Sequence, residues 1–176
     1  IFINATLFFV EMFAGYQAGS QALKSDALDF LADSLTYGLS LAVIGHSNQI
    51  RARAALFKAI SLFGIGGFVV THTLYRSLFQ TTPQAELMGI IGILALLANV
   101  VSVLLLMRYK DGDANVKSVW MCSRNDAMGN IAVMLASLAV FTTGSAWPDL
   151  VVAFGMSGLF LQSAQIILRQ SLRELA

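Results

Sequence analysis

Charged side chains are scarce in this sequence and make up only 12% of its 176 residues. Hydrophobic residues account for 57%, and the mean hydropathy is +0.72. A soluble domain carries about 25% charged residues to keep its surface hydrated. The composition therefore excludes an ordinary soluble domain and predicts a chain that lies in a lipid bilayer. No basic run is present either, so the sequence does not indicate a nucleic-acid partner.

Proline is also scarce, with two residues, and the apolar residues form long blocks without strand-like alternation. A transmembrane helix needs roughly 20 mostly apolar residues. The first block has no basic n-region or cleavage site, so we do not interpret it as a signal peptide. We predict an all-α integral membrane bundle, a single domain over 1–176. Its six transmembrane helices span about 1–16, 25–47, 54–76, 86–107, 116–142 and 149–168.

Basic residues are distributed unevenly between the two sets of connections. Only Lys24 and Arg76 fall on the side of the odd-numbered connections, and Arg124 lies within the fifth helix. The even-numbered connections and the C-terminus hold the others, namely Arg51, Arg53, Lys58, Arg108, Lys110, Lys117, Arg169 and Arg173. By the positive-inside rule, this second side and both termini are cytoplasmic.

The second helix contains three carboxylates, Asp26, Asp29 and Asp33, within SDALDFLADSL. At about 100° per residue, all three fall within an arc of roughly 60°. An ionised carboxylate at helix depth in a membrane costs several kcal/mol unless it is neutralised, paired or bound to a cation. The three aspartates are therefore expected to share protons or to surround a cation.

A second polar stripe lies on the fifth helix. Cys122 and Asp126 are four residues apart, and Asn130 continues the same face one turn later. Two helices that each offer ligands at i and i+4 can place four donors around one ion. We predict Asp29, Asp33, Cys122 and Asp126 as ligands of a divalent transition metal. A tetrahedral set of carboxylate and thiolate donors suits zinc, cadmium or cobalt better than magnesium or calcium.

These motifs resemble those of the cation diffusion facilitators, a family of divalent metal/proton antiporters. The family carries a (His or Asp)xxxAsp motif in the second and in the fifth of six transmembrane helices. The matching pairs here are Asp29 with Asp33, within GSQALKSDALDFLADSL, and Cys122 with Asp126, within NVKSVWMCSRNDAMGN. The resemblance covers essentially the whole chain.

The resemblance implies a secondary transporter, not an enzyme, in the bacterial inner membrane. It would export a divalent transition metal from the cytoplasm in exchange for protons. Zinc is the first expectation, and cadmium, cobalt, iron and manganese are alternatives. No prosthetic group is expected; the partners are the metal ion, protons, the lipid bilayer and a second copy in a homodimer.

The chain departs from the family pattern at three points. Cys122 stands where the family usually has His or Asp, so the fourth ligand is either its thiolate or another group. The connection RYKDGDANVK has no histidine-rich run, and the chain ends at RQSLRELA without the small cytoplasmic metal-binding domain that most members append. That domain is either absent or not included in this sequence, so we assign 1–176 to the transmembrane domain and assume no regulation by the other.

Three further residues are candidates for a proton relay or for a supporting role around the metal, namely Asp26, Asn130 and Glu11. Asp26 could instead be an interfacial acid paired with Lys24. Asn130 could be a hydrogen-bonding group between helices, and Cys122 a small buried hydrophobe.

Two other functional classes remain open. A haem-bearing membrane anchor for electron transfer would need two facing axial histidines, and only His46 and His72 are available. A membrane-embedded hydrolase could use an aspartate or Cys122, but the sequence has no nucleophile and base at a recognisable spacing.

Overall fold

The computed structural model describes residues 1–79, 81–107 and 114–175, and within them every side chain except those of residues 106 and 114–125. These ranges form six helices and no strand. The helices are α1 (Phe2–Ala18), α2 (Gln21–Ala42), α3 (Asn48–Phe79), α4 (Ala85–Met107), α5 (Ala114–Thr143) and α6 (Trp147–Leu175). The prediction of an all-α bundle of six helices is confirmed.

Four of the helical segments are long and apolar enough to cross a membrane: Asn48–Phe79, Ala85–Leu105, Asp126–Thr143 and Trp147–Leu175. Two helices do not meet these criteria of length and apolar composition. The helix α1 has only 17 residues, and α2 contains three aspartates. Most of the first half of α2 is buried against other helices. Its polar groups in that half are therefore shielded from lipid by protein.

The observed helix ends differ from the predicted spans by up to seven residues. The helix α2 begins at Gln21 rather than at 25, because the Ser20 hydroxyl accepts a hydrogen bond from the Leu23 amide at 3.0 Å and caps the helix. The helix α6 continues to Leu175 rather than 168. Its added turns are rich in Arg, Gln, Leu and Glu, which favour helix and carry a helix beyond its apolar part.

The helices pack in two groups. The helices α1, α2, α4 and α5 form one group, and α3 packs mainly on α6 to form the other. The face that holds Ile1, residues 43–47 and the end of α6 is called the terminal face. The opposite, distal face holds the connections between α1 and α2, between α3 and α4 and between α5 and α6. There the Gln84 amide donates to the Ala18 carbonyl at 2.8 Å, and the Thr82 hydroxyl donates to the Gly144 carbonyl at 3.2 Å. The boundary between the two groups is called the seam.

A buried apolar cluster holds the seam together. Leu28 and Ala32 of α2 contribute to it, and they flank Asp29 in the sequence. The cluster consists of Leu28, Ala32, Leu62, Val69, Met156, Phe160 and Ala164. At Gly66 of α3, an added Cβ would lie 3.0 Å from side-chain carbons of Leu161, so glycine permits the close approach of α3 to α6. This packing fixes the rotation of α2 and with it the direction of its aspartates.

Candidate metal site

Three carboxylates from two helices line one cavity. Asp29 and Asp33 of α2 and Asp126 of α5 border a space of about 860 Å³ between α2, α3, α5 and α6. Asp126 is 5% exposed, and the two aspartates of α2 are half-buried. The spacing of four residues between Asp29 and Asp33 places them one turn apart on the same side of α2.

The hydrogen bonds of these carboxylates leave an acceptor oxygen without a partner. The Tyr37 hydroxyl donates to Oδ2 of Asp33 at 2.9 Å. Oδ2 of Asp126 is buried and receives no hydrogen bond from any residue that the structure describes. A carboxylate oxygen without a donor, in a cavity with other carboxylates, is a good position for a cation.

A second cavity lies next to the first, on the side of the terminal face. It has a volume of about 680 Å³ and is bordered by the last turns of α2, the first turns of α3 and the end of α6. Thr36, Lys58 and Ile167 line both cavities. The two spaces therefore adjoin at these three residues, between the aspartates and the terminal face.

Asp26 does not line the cavity of Asp29 and Asp33. Its side chain is 1% exposed, and its Oδ1 lies 3.3 Å from the position of a Cβ added at Gly129 of α5. The carboxyl group of Glu11, from α1, lies within interaction range of that of Asp26. The three aspartates were predicted to share one face of α2, but they lie in two environments. The rotation of α2 places Asp26 against α1 and α5, whereas Asp29 and Asp33 line the cavity.

Among the acids whose side chains the structure describes, Glu11 is the most enclosed, at 0% exposed. Both of its oxygens, and Oδ2 of Asp26, have no hydrogen-bond donor among the residues with described side chains. Two ionised carboxylates can only accept hydrogen bonds, so this pair can bond directly only when one member holds a proton. A proton shared between the two carboxyl groups would therefore remove the cost of an unpartnered buried acceptor.

The other candidates for a relay or supporting role occupy distinct positions. Asn130 is fully buried, and its amide nitrogen donates to the Asp126 carbonyl at 2.9 Å, while its Oδ1 has no partner in the described part of the chain. The Lys24 ammonium lies 4.3 Å from the centre of the Tyr16 ring. Residues two apart on a helix do not face each other, which explains why Lys24 turns to Tyr16 rather than to Asp26.

Cys122 lies in the part of α5 whose side chains are outside the described set. Its backbone belongs to α5, one turn before Asp126. Among the side chains that are described, no three His, Cys, Asp or Glu residues stand close enough together to hold a metal ion. The complete ligand set therefore remains a prediction.

Comparison with known proteins gives the family. All of residues 1–176 match the family profile of the cation efflux transmembrane domain. The chain belongs to this family. Its members are transporters rather than enzymes, and the protein is an integral membrane protein. The resemblance inferred from the motifs of α2 and α5 is thereby confirmed.

Individual relatives carry names that refer to metal transport. The metal cation efflux system protein CzcD of Cupriavidus metallidurans is 26% identical over 98% of this chain and 58% of its own length. The zinc transporter ZitB of Yersinia pestis is 28% identical over 99% of this chain and 60% of its own. The cadmium, cobalt and zinc/H(+)-K(+) antiporter of Bacillus subtilis is 22% identical over 93% and 57%. The chain thus spans less than two thirds of the length of these relatives.

The two histidines do not support a haem between helices. His46 follows the end of α2 at the terminal face, whereas His72 bonds through Nδ1 to the Gln21 side chain at the start of α2, at 2.7 Å. The 22 residues of α2 rise by about 33 Å between these two places. Two axial ligands of one haem cannot be that far apart, so the electron-transfer alternative loses its structural basis.

Sequence reasoning missed the carboxylate of Asp149. It lies in the first turn of α6, is 2% exposed, and accepts hydrogen bonds from the backbone amides of Gln21 at 2.7 Å and Ala22 at 3.0 Å. It also accepts one from the Ser20 hydroxyl. An aspartate that follows a proline at the start of a span is typical of the first turn of a helix, where it stabilises that same helix. Nothing local to the sequence indicates that it caps a different helix.

Proposed function

We propose that this chain is the transmembrane domain of a secondary transporter that exports a divalent transition metal ion, zinc first, from the cytoplasm in exchange for protons. The observation that carries the proposal is the convergence of Asp29, Asp33 and Asp126 on one cavity, which adjoins a second cavity at the terminal face. Membership of the cation efflux family and the zinc, cadmium and cobalt in the relatives' names support the same reading.

The metal site we propose consists of Asp29, Asp33, Cys122 and Asp126. The two helices that carry these residues pack against each other, so a small approach of α5 to α2 would close the donors around an ion. Oxygen donors with one sulfur favour zinc, cadmium or cobalt, and iron or manganese would bind less selectively. Magnesium and calcium prefer more oxygen ligands than this site offers.

Protons are the proposed counter-ion because a metal ligand must be deprotonated. Entry of a divalent cation would displace protons from the carboxylates and from the thiol of Cys122, and protons arriving from the other side would release the metal. Glu11, Asp26 and Asn130 lie beside Asp126 on α1, α2 and α5, and we assign them the proton relay. The shared proton that the pair of Glu11 and Asp26 requires supports this assignment.

The proposed orientation places the terminal face in the cytoplasm. Of the basic residues with described side chains, Arg51, Arg53, Lys58, Arg169 and Arg173 belong to the half of the bundle nearer this face, whereas Lys24 and Arg76 lie towards the distal face. This distribution follows the positive-inside rule. We further propose the bacterial inner membrane, as for bacterial relatives, and a homodimer as the working unit, with no prosthetic group and no nucleic-acid partner.

The decisive experiment is transport by the purified protein in liposomes that contain a metal-sensitive dye and a pH-sensitive dye. We expect zinc, cadmium and cobalt to accumulate under a pH gradient, with proton movement in the opposite direction. Asp33→Ala and Asp126→Ala should abolish accumulation while the proteins still insert and fold, because removal of a buried acid relieves a desolvation cost.

Glu86→Gln is the matched control, since Glu86 is an exposed acid at the start of α4. It should transport at the parent's rate. If either alanine variant carried zinc as fast as the parent, the site would lie elsewhere. If the folded parent moved metal without any proton movement, the exchange with protons would be refuted while the metal site would stand.

A further inference from the structure

The seam between the two helix groups is built differently at its two ends. At the terminal face, the 680 Å³ cavity lies between α2 on one side and α3 and α6 on the other. It adjoins the aspartate cavity, because Thr36 and Lys58 line both spaces. In this arrangement, an ion could reach the aspartates from the terminal face.

At the distal face, the same seam is closed by hydrogen bonds around the start of α2. Asp149 of α6 accepts bonds from the Ser20 hydroxyl and from the amides of Gln21 and Ala22. The Ser20 hydroxyl accepts in turn from the Leu23 amide at 3.0 Å. One carboxylate of the α3 and α6 group therefore satisfies the otherwise unpaired amides at the start of α2, which belongs to the other group.

Helix α3 contributes two more bonds across the same end of the seam. His72 Nδ1 lies 2.7 Å from Oε1 of Gln21, and Arg76 donates to the Gly19 carbonyl at 3.3 Å. Together with Asp149, these contacts connect both helices of one group with the turn between α1 and α2. We call this set of bonds the distal latch.

A small cavity lies directly behind the distal latch. It has a volume of about 190 Å³, is bordered by α1, α2 and α3, and extends from Leu28 to Gln21 along α2. Leu28 directly precedes Asp29, so this space reaches from the level of the proposed metal site towards the distal face. It occupies the position that an exit route on that side would need.

We infer that Asp149 is a positioning residue for transport, whose bonds to α2 hold the seam closed at the distal face and must break before the metal site can open there. The inference rests on the proposed transport function and goes beyond it, because Asp149 is not a metal ligand. The carboxylate lies between the N-terminal ends of α2 and α6, where the positive ends of both helix dipoles stabilise its charge. Charge-assisted hydrogen bonds of this kind are about twice as strong as neutral ones.

Asp149→Asn tests this role with little change of shape. The two carboxylate oxygens of Asp149 accept from the backbone amides of Gln21 and Ala22. In asparagine, an NH2 group replaces one of these oxygens, and this donor would face a backbone N–H donor. Ser20→Ala is a milder variant that removes only the hydroxyl link. Ser145→Ala is the matched control, because the Ser145 hydroxyl accepts from the Trp147 amide at 3.3 Å on the same face but bonds only within its own turn.

The readout is the reactivity of single cysteines towards a membrane-impermeant maleimide in liposomes. Thr36→Cys reports on the terminal side and Ser25→Cys on the small distal cavity, each in a Cys122→Ser background. In the Asp149→Asn variant we expect labelling at position 36 to slow by about tenfold and labelling at position 25 to accelerate correspondingly, because charged hydrogen bonds are lost. Ser20→Ala should shift both rates in the same directions by less, and Ser145→Ala should shift neither.

Zinc affinity in detergent, measured by calorimetry, separates this inference from the proposed function. It should stay within about twofold of the parent in Asp149→Asn, since the cavity carboxylates are unchanged. Reciprocal labelling shifts would support the latch even if the parent protein failed to transport zinc. Unchanged labelling at both positions in a folded Asp149→Asn protein would overturn the inference about Asp149. If that variant does not fold, unchanged labelling in Ser20→Ala would overturn it.

Discussion

Replacement of Glu11 by glutamine is expected to make the protein more stable and less able to couple metal movement to protons. Glu11 is fully enclosed, and neither of its oxygens has a donor among the residues whose side chains are described. A glutamine side chain has nearly the same shape and adds an amide donor beside the Asp26 carboxyl group. The amide keeps this donor at every pH, whereas the parent pair has one only while it holds a proton.

The expected stabilisation follows from the cost of a buried acceptor without a partner, which is about 1 to 3 kcal/mol. For a chain of this size, about 1 kcal/mol corresponds to roughly 2 to 4 °C in melting temperature. Glu11→Gln should therefore melt about 2 to 12 °C higher than the parent at alkaline pH. The difference should shrink as the pH falls, because protonation gives the parent pair its own hydrogen bond.

The assay is thermal unfolding in nanodiscs at several pH values, together with zinc flux in liposomes under a pH gradient. The amide cannot release its proton, so flux driven by the gradient should be largely lost. Glu86→Gln is again the control and should change the stability by no more than about 0.5 kcal/mol.

Two outcomes would refute this reasoning. A melting temperature below that of the parent would mean that the Glu11 carboxylate makes contacts that an amide cannot replace. Undiminished proton-driven zinc flux in a stabilised Glu11→Gln protein would remove Glu11 from the proton route.

Three further predictions follow. Cys122→Ser should reduce cadmium transport more than manganese transport, and Cys122→His should restore zinc transport, because a thiolate prefers soft ions and an imidazole binds zinc well. Cadmium and zinc transport and proton release that stay at the parent's level in Cys122→Ser would mean that Cys122 is only a packing residue. Cysteines introduced near positions 50 and 112 should be labelled only from the cytoplasmic side, and labelling of either from outside would contradict the topology. Gly66→Ala should lower the melting temperature, since its Cβ would lie 3.0 Å from a leucine of α6, at a cost of about 1 to 3 kcal/mol; Gly67→Ala, which has open space, should not.

The sequence by itself determined the class, the number of helices and the family. Long apolar blocks with few charges permit little other than membrane helices, because unpaired backbone groups are too costly in lipid. The spacing of Asp29 with Asp33 and of Cys122 with Asp126 is a local property of a helix, so their shared faces could be predicted without a structure. Helix ends were less certain, because α6 continues through polar residues that favour helix as strongly as apolar ones.

Only the tertiary structure decided which groups meet across helices. Helical periodicity placed Asp26 with the other two aspartates, but packing turned it towards Glu11 and α5, away from the cavity. The bonds from Asp149 to the start of α2 join residues 127 to 129 positions apart. Such contacts depend on the rotation, depth and neighbours of each helix. These are fixed by side-chain packing over the whole bundle, so a local pattern of residues does not predict them.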